Sequence, residues 1–403
     1  MVRSGDKRRS SMKAKVGMVL LAMGLVLGLA AGPGVAAETL KAPAGSQANL
    51  SLLTQTKYSL SIAYEYLLKT QRPDGSWEGH PAITALAVYS FLLAPQYNPG
   101  EQVPLAIDRG LKYIVSNVKP DGGIYDKELP NYVTAICLLA LSESNRPAYK
   151  DIIKNAKQFL IQFQDDEDEG YDPGHLYYGG IGYGGDSRPD LSNTQFALEG
   201  LKAAEDYEHR YARILPSTMK QVEKEETELG LHWKKALIFL AKCQNVKSIN
   251  AMAYATDDGG FIYEPGTYNP QRSHSYGTMT YAGLKSLLYA RVDKNDIRVK
   301  RAYDWIRQHY TLDENPGFSN ASIYNYYYTF AKSLDALGES VITDSKGQKH
   351  NWREDYLKKL VSVQKAEGYW ENTDGQYREN IKALATAYAT VGMKFALHGL
   401  LAD

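Results

Sequence analysis

"QRPDGSWEGH", residues 71–80, and "QKAEGYW", residues 364–370, share one frame near the two ends of the chain. Each has a glutamine, then a glycine, then a tryptophan at fixed spacing: Gln71, Gly75, Trp77 and Gln364, Gly368, Trp370. Apolar residues at helical spacing precede each glutamine, and a second apolar run follows each tryptophan. In the first copy "RPDG" stops the helix, because proline and Asp-Gly favour a turn and glycine accepts a left-handed backbone. The local reading is helix, glycine turn, helix.

The unit recurs. Residues 58–95, 107–141, 153–204, 233–290, 299–337 and 352–397 each give an apolar helix, a break and a second apolar helix, six units and twelve helices in all. The third, fourth and fifth turns read as degraded copies: "EGY" at Gly170, "GGF" at Gly259 and "PGF" at Gly317. Thr84, Thr134, Thr194 and Thr280 open the second helices in one register, and Thr329 and Thr386 fit it only approximately. One such hairpin cannot bury both apolar faces, but a stack of them can. The second helices are richer in apolar and small residues than the first. Such a stack is either an open solenoid or a closed ring, and that asymmetry favours the ring, with an inner and an outer layer. Trp77 and Trp370 read as packing residues that pin the turns.

The sequence has 403 residues, 44% apolar and 23% charged, with 31 tyrosines against 9 phenylalanines. Tyrosine suits a lined groove and equally suits crowded helix packing with its hydroxyl at the rim. Residues 1–37 read as a secretory signal. Arg3, Lys7, Arg8, Arg9, Lys13 and Lys15 precede the apolar run "VGMVLLAMGLVLGLAA", and small residues Val35 and Ala37 precede Glu38. Met12 is an alternative start, Arg8-Arg9 raises a twin-arginine route, and an uncleaved anchor is the alternative to cleavage. Residues 38–56 then read as a linker and 57–403 as the folded body. The expected location is secreted or periplasmic. Removing residues 1–37 takes six basic residues and one acid from 46 of each, leaving 40 and 45 and a net charge of −5. No basic stripe remains, so a nucleic acid partner is not expected. Cys137 and Cys243 lie in apolar helical runs and read as buried free thiols, with a disulfide between them as the alternative and no metal spacing around them.

The two full Gln-x-x-x-Gly-x-Trp motifs resemble the repeat of squalene cyclases, and the wider group includes protein prenyltransferase β subunits. The resemblance covers residues ~58–400 and implies an all-α (α/α)6 toroid of six helical hairpins, with terpene cyclase/mutase-like activity or its remnant. Class II cyclases of that kind open an inner helix with Pro-Asp-x-Asp-Asp-Thr. The matching stretch here is Pro189, Asp190, Leu191, Ser192, Asn193, Thr194. Asp190 keeps the first acid, while Ser192 and Asn193 replace the other two. In the family the middle acid protonates an alkene, and a serine hydroxyl is far too weak for that step. The zinc ligands of the prenyltransferases have no counterpart around Cys137 or Cys243, so no metal and no cofactor are expected.

Two Gly/Tyr-rich inserts remain. "DPGHLYYGGIGYGGDSRPDLSNT", residues 172–194, and "YEPGTYNPQRSHSYGTMTY", residues 263–281, both lead into inner helices and are expected at one rim of the ring. Asp190 and Asp186 are the candidate catalytic acids, and Tyr183, Arg188, Arg272, His274 and Tyr276 the candidate substrate-binding groups. A rigid surface hairpin with an Asp–Arg pair is the plain alternative. "DDEDE", Asp165 to Glu169, reads as a solvated loop, with calcium as the less favoured alternative.

Three functions stay open. One is an exported terpene cyclase/mutase-like protein that binds an isoprenoid, lipid or other apolar small molecule with its acid motif degraded. The others are a non-catalytic interaction module, with a protein or peripheral-membrane partner, and a carbohydrate-active toroid lyase or hydrolase. A deep apolar cavity would favour the first and a centre filled with side chains the second. Two facing carboxylates would favour the third.

Overall fold

The computed structural model describes residues 44–93, 102–184, 188–214, 230–266 and 274–402. The chain divides into two units, Met1–Ala44 and Gly45–Asp403. The expected signal peptide lies outside the described residues, and the helical body falls in the second unit. Among the described residues no helix is long and apolar enough to cross a membrane.

Twelve α-helices are described. The first helices of the six pairs are α1 (Ala44–Thr70), α3 (Gln102–Ser116), α5 (Lys150–Gln162), α7 (Leu231–Cys243), α9 (Ile297–Gln308) and α11 (Trp352–Val363). The second helices are α2 (Pro81–Leu92), α4 (Pro130–Glu143), α6 (Leu191–Ile214), α8 (Gly277–Tyr289), α10 (Ile323–Leu337) and α12 (Lys382–Ala402). Part of the expected linker is therefore helix: α1 starts at Ala44, and Leu52 and Thr56 are buried. A short antiparallel hairpin, β1 (Val341–Thr343) and β2 (Lys349–Asn351), adds strand to a chain expected to be all helix. Its turn is set by Asp344, whose Oδ1 accepts from the Lys346 and Gln348 N–H groups.

The layers follow from burial. Helix α3 buries Val103, Ala106, Ile107, Gly110, Leu111 and Ile114, a single stripe. Helix α2 buries every residue from Pro81 to Phe91, as a helix enclosed on all sides must. Packing among the second helices runs α2 to α4, α6, α8, α10, α12 and back to α2. The circuit closes.

The opening motif is what holds it. Gln71 Nε2 donates to the turn carbonyl of Gly75 and to Ala106 O of the next first helix, both at 2.9 Å. Gly75 has φ +89°, and a Cβ there would lie 2.5 Å from Arg109 O. Thr84 Oγ1 accepts the Trp77 N–H, and the indole N–H reaches Leu67 O at 2.8 Å. The last turn repeats this against the first helix of the chain. Gln364 Nε2 donates to Gly368 O and, 305 residues away, to Ser59 O. Gly368 abuts Ile62 O, and Thr386 Oγ1 accepts the Trp370 N–H. Thr386 thus fits the register fully. Thr329 does not; its hydroxyl bonds back to Asn325 O within its own helix.

Two turns differ from expectation. In the third unit the turn glycine is Gly179, which takes the Gln164 amide at 2.9 Å and would put a Cβ 1.9 Å from Lys235 O. Gly170 of "EGY" also has positive φ but meets nothing within 4 Å. It sits inside an insert between Gln164 and the true turn. In the fifth unit Gly317 packs back on Ser275 and Tyr276 instead of forward onto the next helix. The fourth turn, Gly259 against Arg301 O with Gln244 donating to Gly259 O, is as expected.

Candidate functional site at the ring mouth

The N-terminal ends of the six second helices converge on two adjoining cavities of about 600 and 230 Å³. Ile83, Tyr132, Phe196, Met279, Asn325 and Leu384, one from each second helix, line them. The two share Tyr183, Ser192, Ser322, Asn325, Gln376 and Tyr377 as their common wall. Aromatic rings dominate: Tyr276 stacks on Phe318 with centroids 4.7 Å apart, and Phe318 meets Tyr377 at 5.6 Å. Hydroxyls and amides lie between the rings, so the surface suits a ligand with both apolar and hydrogen-bonding parts.

The two inserts meet at this mouth. The Tyr183 and Tyr263 hydroxyls are 3.0 Å apart, and Leu191 N–H donates to Tyr263 O. Tyr183 and Tyr276 line the larger cavity. Arg188 is exposed, with its guanidinium 3.8 Å from Glu264. His274 Nε2 lies 2.8 Å from Gly317 O, tying the second insert to the fifth turn. Asp186 and Arg272 lie outside the described residues.

Asp190 is buried and faces the end of α6. It accepts the Asn193 N–H at 2.8 Å and the Asn193 amide at 2.7 Å, and it bonds the Tyr263 hydroxyl. This is an N-cap geometry. Burial pushes the carboxyl up to about 7, against the pull of those donors. The folded value lies above the ordinary carboxylate value of about 3.9, so the group opposes stability increasingly as pH rises from ~4 to ~7. Asparagine caps as well as aspartate. Asp190→Asn is therefore expected to be neutral or stabilising at pH 8 in urea denaturation, while Asp190→Ala loses about 1 kcal/mol. Equal losses in both variants would contradict the capping role.

Ser192 and Asn193, at the positions of the missing acids, do reach the smaller cavity. So does Glu379, which the sequence reading missed. Its carboxyl is 1% exposed and accepts the Asn325 N–H at 2.8 Å and the Asn372 amide at 3.1 Å, at the start of α10. Burial pushes it up, while the N–H groups of Asn325, Tyr324 and Ile323 pull it down. His80 is also new to the site. Burial pushes its imidazole down, and its Nδ1 accepts the Ala82 N–H.

Below the mouth the ring is filled. Tyr132, Phe196, Tyr328 and Tyr388 form a floor, with Tyr132 and Tyr388 hydroxyls 2.8 Å apart. Beneath it Glu199 of α6 bonds Lys285 of α8, and Lys332 and the Tyr328 hydroxyl of α10. All four side chains are buried.

The acidic run is held at the surface, not loose. Asp166 and Glu167 clamp Lys235 of α7 at 2.7 and 2.6 Å. Among the described residues no group of acids, histidines or cysteines is placed to hold a metal. Cys137 and Cys243 are buried and free.

The sequence matches no protein-family model and no curated protein. Solved structures do match in fold. The type II terpene cyclase MstE from Scytonema with its substrate geranylgeranyl dihydroxybenzoate is 11% identical, with a TM-score of 0.52, over 86% of this chain and 99% of that one. The same cyclase with its product merosterolic acid A is 12% identical, with a TM-score of 0.51, over 87% and 99%. At this identity the likeness is one of fold: a predominantly helical, terpene-cyclase-like architecture.

Proposed function

We propose that this protein is a closed (α/α)6 toroid that binds an amphipathic small molecule at its mouth and does not cyclise it. The ligand is an isoprenoid or another apolar chain carrying a polar head. The carrying observation is Ser192 at the cavity wall, where the resembling cyclases place their acid, with Asp190 turned into the cap of α6. A serine hydroxyl cannot protonate an alkene. What remains is a surface for binding: rings for the chain, and Asn325, Gln376 and Thr278 for the head. The fold it shares with a cyclase that holds a geranylgeranyl substrate supports the apolar half of this reading. The N-terminal segment supports export.

The test is retention without turnover. Purified protein is titrated with geranylgeranyl dihydroxybenzoate, and the mixture is read by native mass spectrometry and chromatography. The expected result is a 1:1 complex that releases unchanged ligand, with Tyr276→Ala weakening it at least ten-fold. A cyclised product would overturn the reading. Failure to hold this or any co-purified polyprenyl lipid would favour a second reading, a docking ring for another protein. The filled centre supports that alternative. The carbohydrate reading lacks its second carboxylate among the described residues, since Glu379 lines the cavity and Asp190 does not.

A further inference from the structure

The two mouth cavities differ in charge. Among the described residues no aspartate, glutamate, lysine, arginine or histidine lines the larger one, of about 600 Å³. Hydroxyls and amides from Thr278, Ser322, Asn325 and Gln376 alternate there with aromatic rings. The charged side chains belong to the smaller cavity, which His80, Arg378 and Glu379 help to line. Arg378 and Glu379 are opposite in sign, and the Arg378 guanidinium also reaches Glu128 at the exposed rim, at 3.6 Å. A ligand head seated in the larger cavity therefore meets only neutral groups on the described walls.

Six helix N-termini converge on this mouth, and bare N-termini would draw an anion. Here the protein supplies its own acceptors at four of them. His80 Nδ1 takes the Ala82 N–H of α2, and Asp190 takes the Asn193 N–H of α6. Asn315 Oδ1 takes the Thr278 N–H of α8, and Glu379 takes the Asn325 N–H of α10. The three helices that reach the larger cavity, α6, α8 and α10, are all among these. Their ends do not select for negative charge. What they leave to a ligand is different. Ser322 precedes α10 without capping it through its side chain, so its hydroxyl is left to the cavity. Hydroxyls and amides each donate and accept, as a ligand's alcohol groups do. The rings beside them give flat apolar faces: Tyr276 and Phe318 stack at 22°, and Tyr377 tilts against Phe318. A sugar has the matching pattern, with C–H groups on its ring faces, hydroxyls around its edge and no charge.

We propose that the head of the mouth ligand is an uncharged sugar, which makes the ligand class a neutral alkyl or prenyl glycoside. The sugar face packs on Tyr276 and Phe318, and its hydroxyls meet Ser322, Asn325 and Gln376. The chain continues into the smaller cavity, along Ile83, Phe196 and Leu384. The inference rests on the amphipathic-ligand reading above and adds selectivity to it; no bond forms or breaks.

The probes are octyl β-D-glucoside, octyl phosphate and 1-octanol, which share one chain and differ in the head. Each is titrated calorimetrically into the full chain at pH 7, below its micelle concentration. The glucoside is expected to bind saturably and at least ten-fold more tightly than either of the others. Gln376→Ala and Asn325→Ala should each lower glucoside affinity about five-fold relative to octanol, a selective loss that misfolding would not give. Gln376 is exposed, so its variant keeps the test valid should Asn325→Ala fail to fold. Octyl phosphate or octanol binding as tightly as the glucoside would overturn the assignment. So would a chain that holds geranylgeranyl dihydroxybenzoate but not the glucoside, an outcome that leaves the amphipathic reading standing. If neither is held, both fall. Methyl β-D-glucoside separates a glycoside from a free sugar: it is expected to bind at least ten-fold more weakly than the octyl compound, and equal binding would uphold the sugar while removing the chain.

Discussion

Gly179→Ala is expected to destabilise the protein by about 4 kcal/mol, whereas Gly170→Ala costs only about 1 kcal/mol. Both glycines have left-handed φ, +84° at Gly170 and +83° at Gly179, so both substitutions bear the same conformational penalty. They differ in what a Cβ would meet. At Gly170 there is nothing within 4 Å; at Gly179 the new carbon would sit 1.9 Å from Lys235 O. That obstacle is backbone in the middle of a pairing between units, and it cannot swing aside as a side chain would. The third turn would have to lift off α7, taking with it the Gln164 bonds to Gly179 O and His232 O. Urea midpoints with unchanged slopes measure both costs. Equal losses would show that the two glycines do the same job, and the assignment of Gly179 as the turn would fall.

That pair of glycines also shows where the sequence was legible. Glutamine-to-glycine spacing marks the turn when the loop has its minimal length, as at Gln71–Gly75 and Gln364–Gly368. In the third unit an insert separates the two residues by fifteen positions, and Gly170 lies nearer the expected spacing. The contact that identifies Gly179 is with α7, some 55 residues on, and no local pattern carries it. The threonine register behaved differently. Thr84, Thr134, Thr194, Thr280 and Thr386 all accept the N–H of the residue just after the turn. One hydrogen bond repeated in five units leaves a mark that survives sequence divergence. The buried ion cluster was readable in principle. Glu199 and Lys285 each stand five residues after their threonine, in helices read as enclosed, and a charge in such a helix needs a partner. Lys332 escapes the rule because Thr329 does not keep the register. Glu379 left no signal, because only the folded path of the last rim loop brings its carboxylate to α10.

Glu199→Ala should cost about 3–5 kcal/mol, among the largest losses available to a single side chain here. It strands two buried ammoniums, Lys285 and Lys332, on neighbouring helices, and removes the acceptor of the Tyr328 hydroxyl. Lys332→Met should cost far less, because it leaves one carboxylate facing one ammonium. That asymmetry distinguishes a cluster built around one shared carboxylate from a symmetric one, in which any single deletion would cost the same. Acid adds a second readout. Although burial alone would raise the Glu199 carboxyl, the two lysines hold it down at about 2, below the ordinary glutamate value of about 4.3. A depressed folded value means the contribution is present in full above about pH 4.3 and is lost as pH falls toward 2. The parent chain should therefore lose stability steeply across that window, and Glu199→Ala should lose less there, having already given up the pair. Replacing Glu199, Lys285 and Lys332 together by Leu, Met and Met should recover most of the loss at neutral pH, since apolar packing substitutes for a buried ion pair at little net cost. If the triple variant is as unstable as Glu199→Ala, the cluster does more than neutralise itself, and the closed ring depends on its hydrogen bonds as well as its charge.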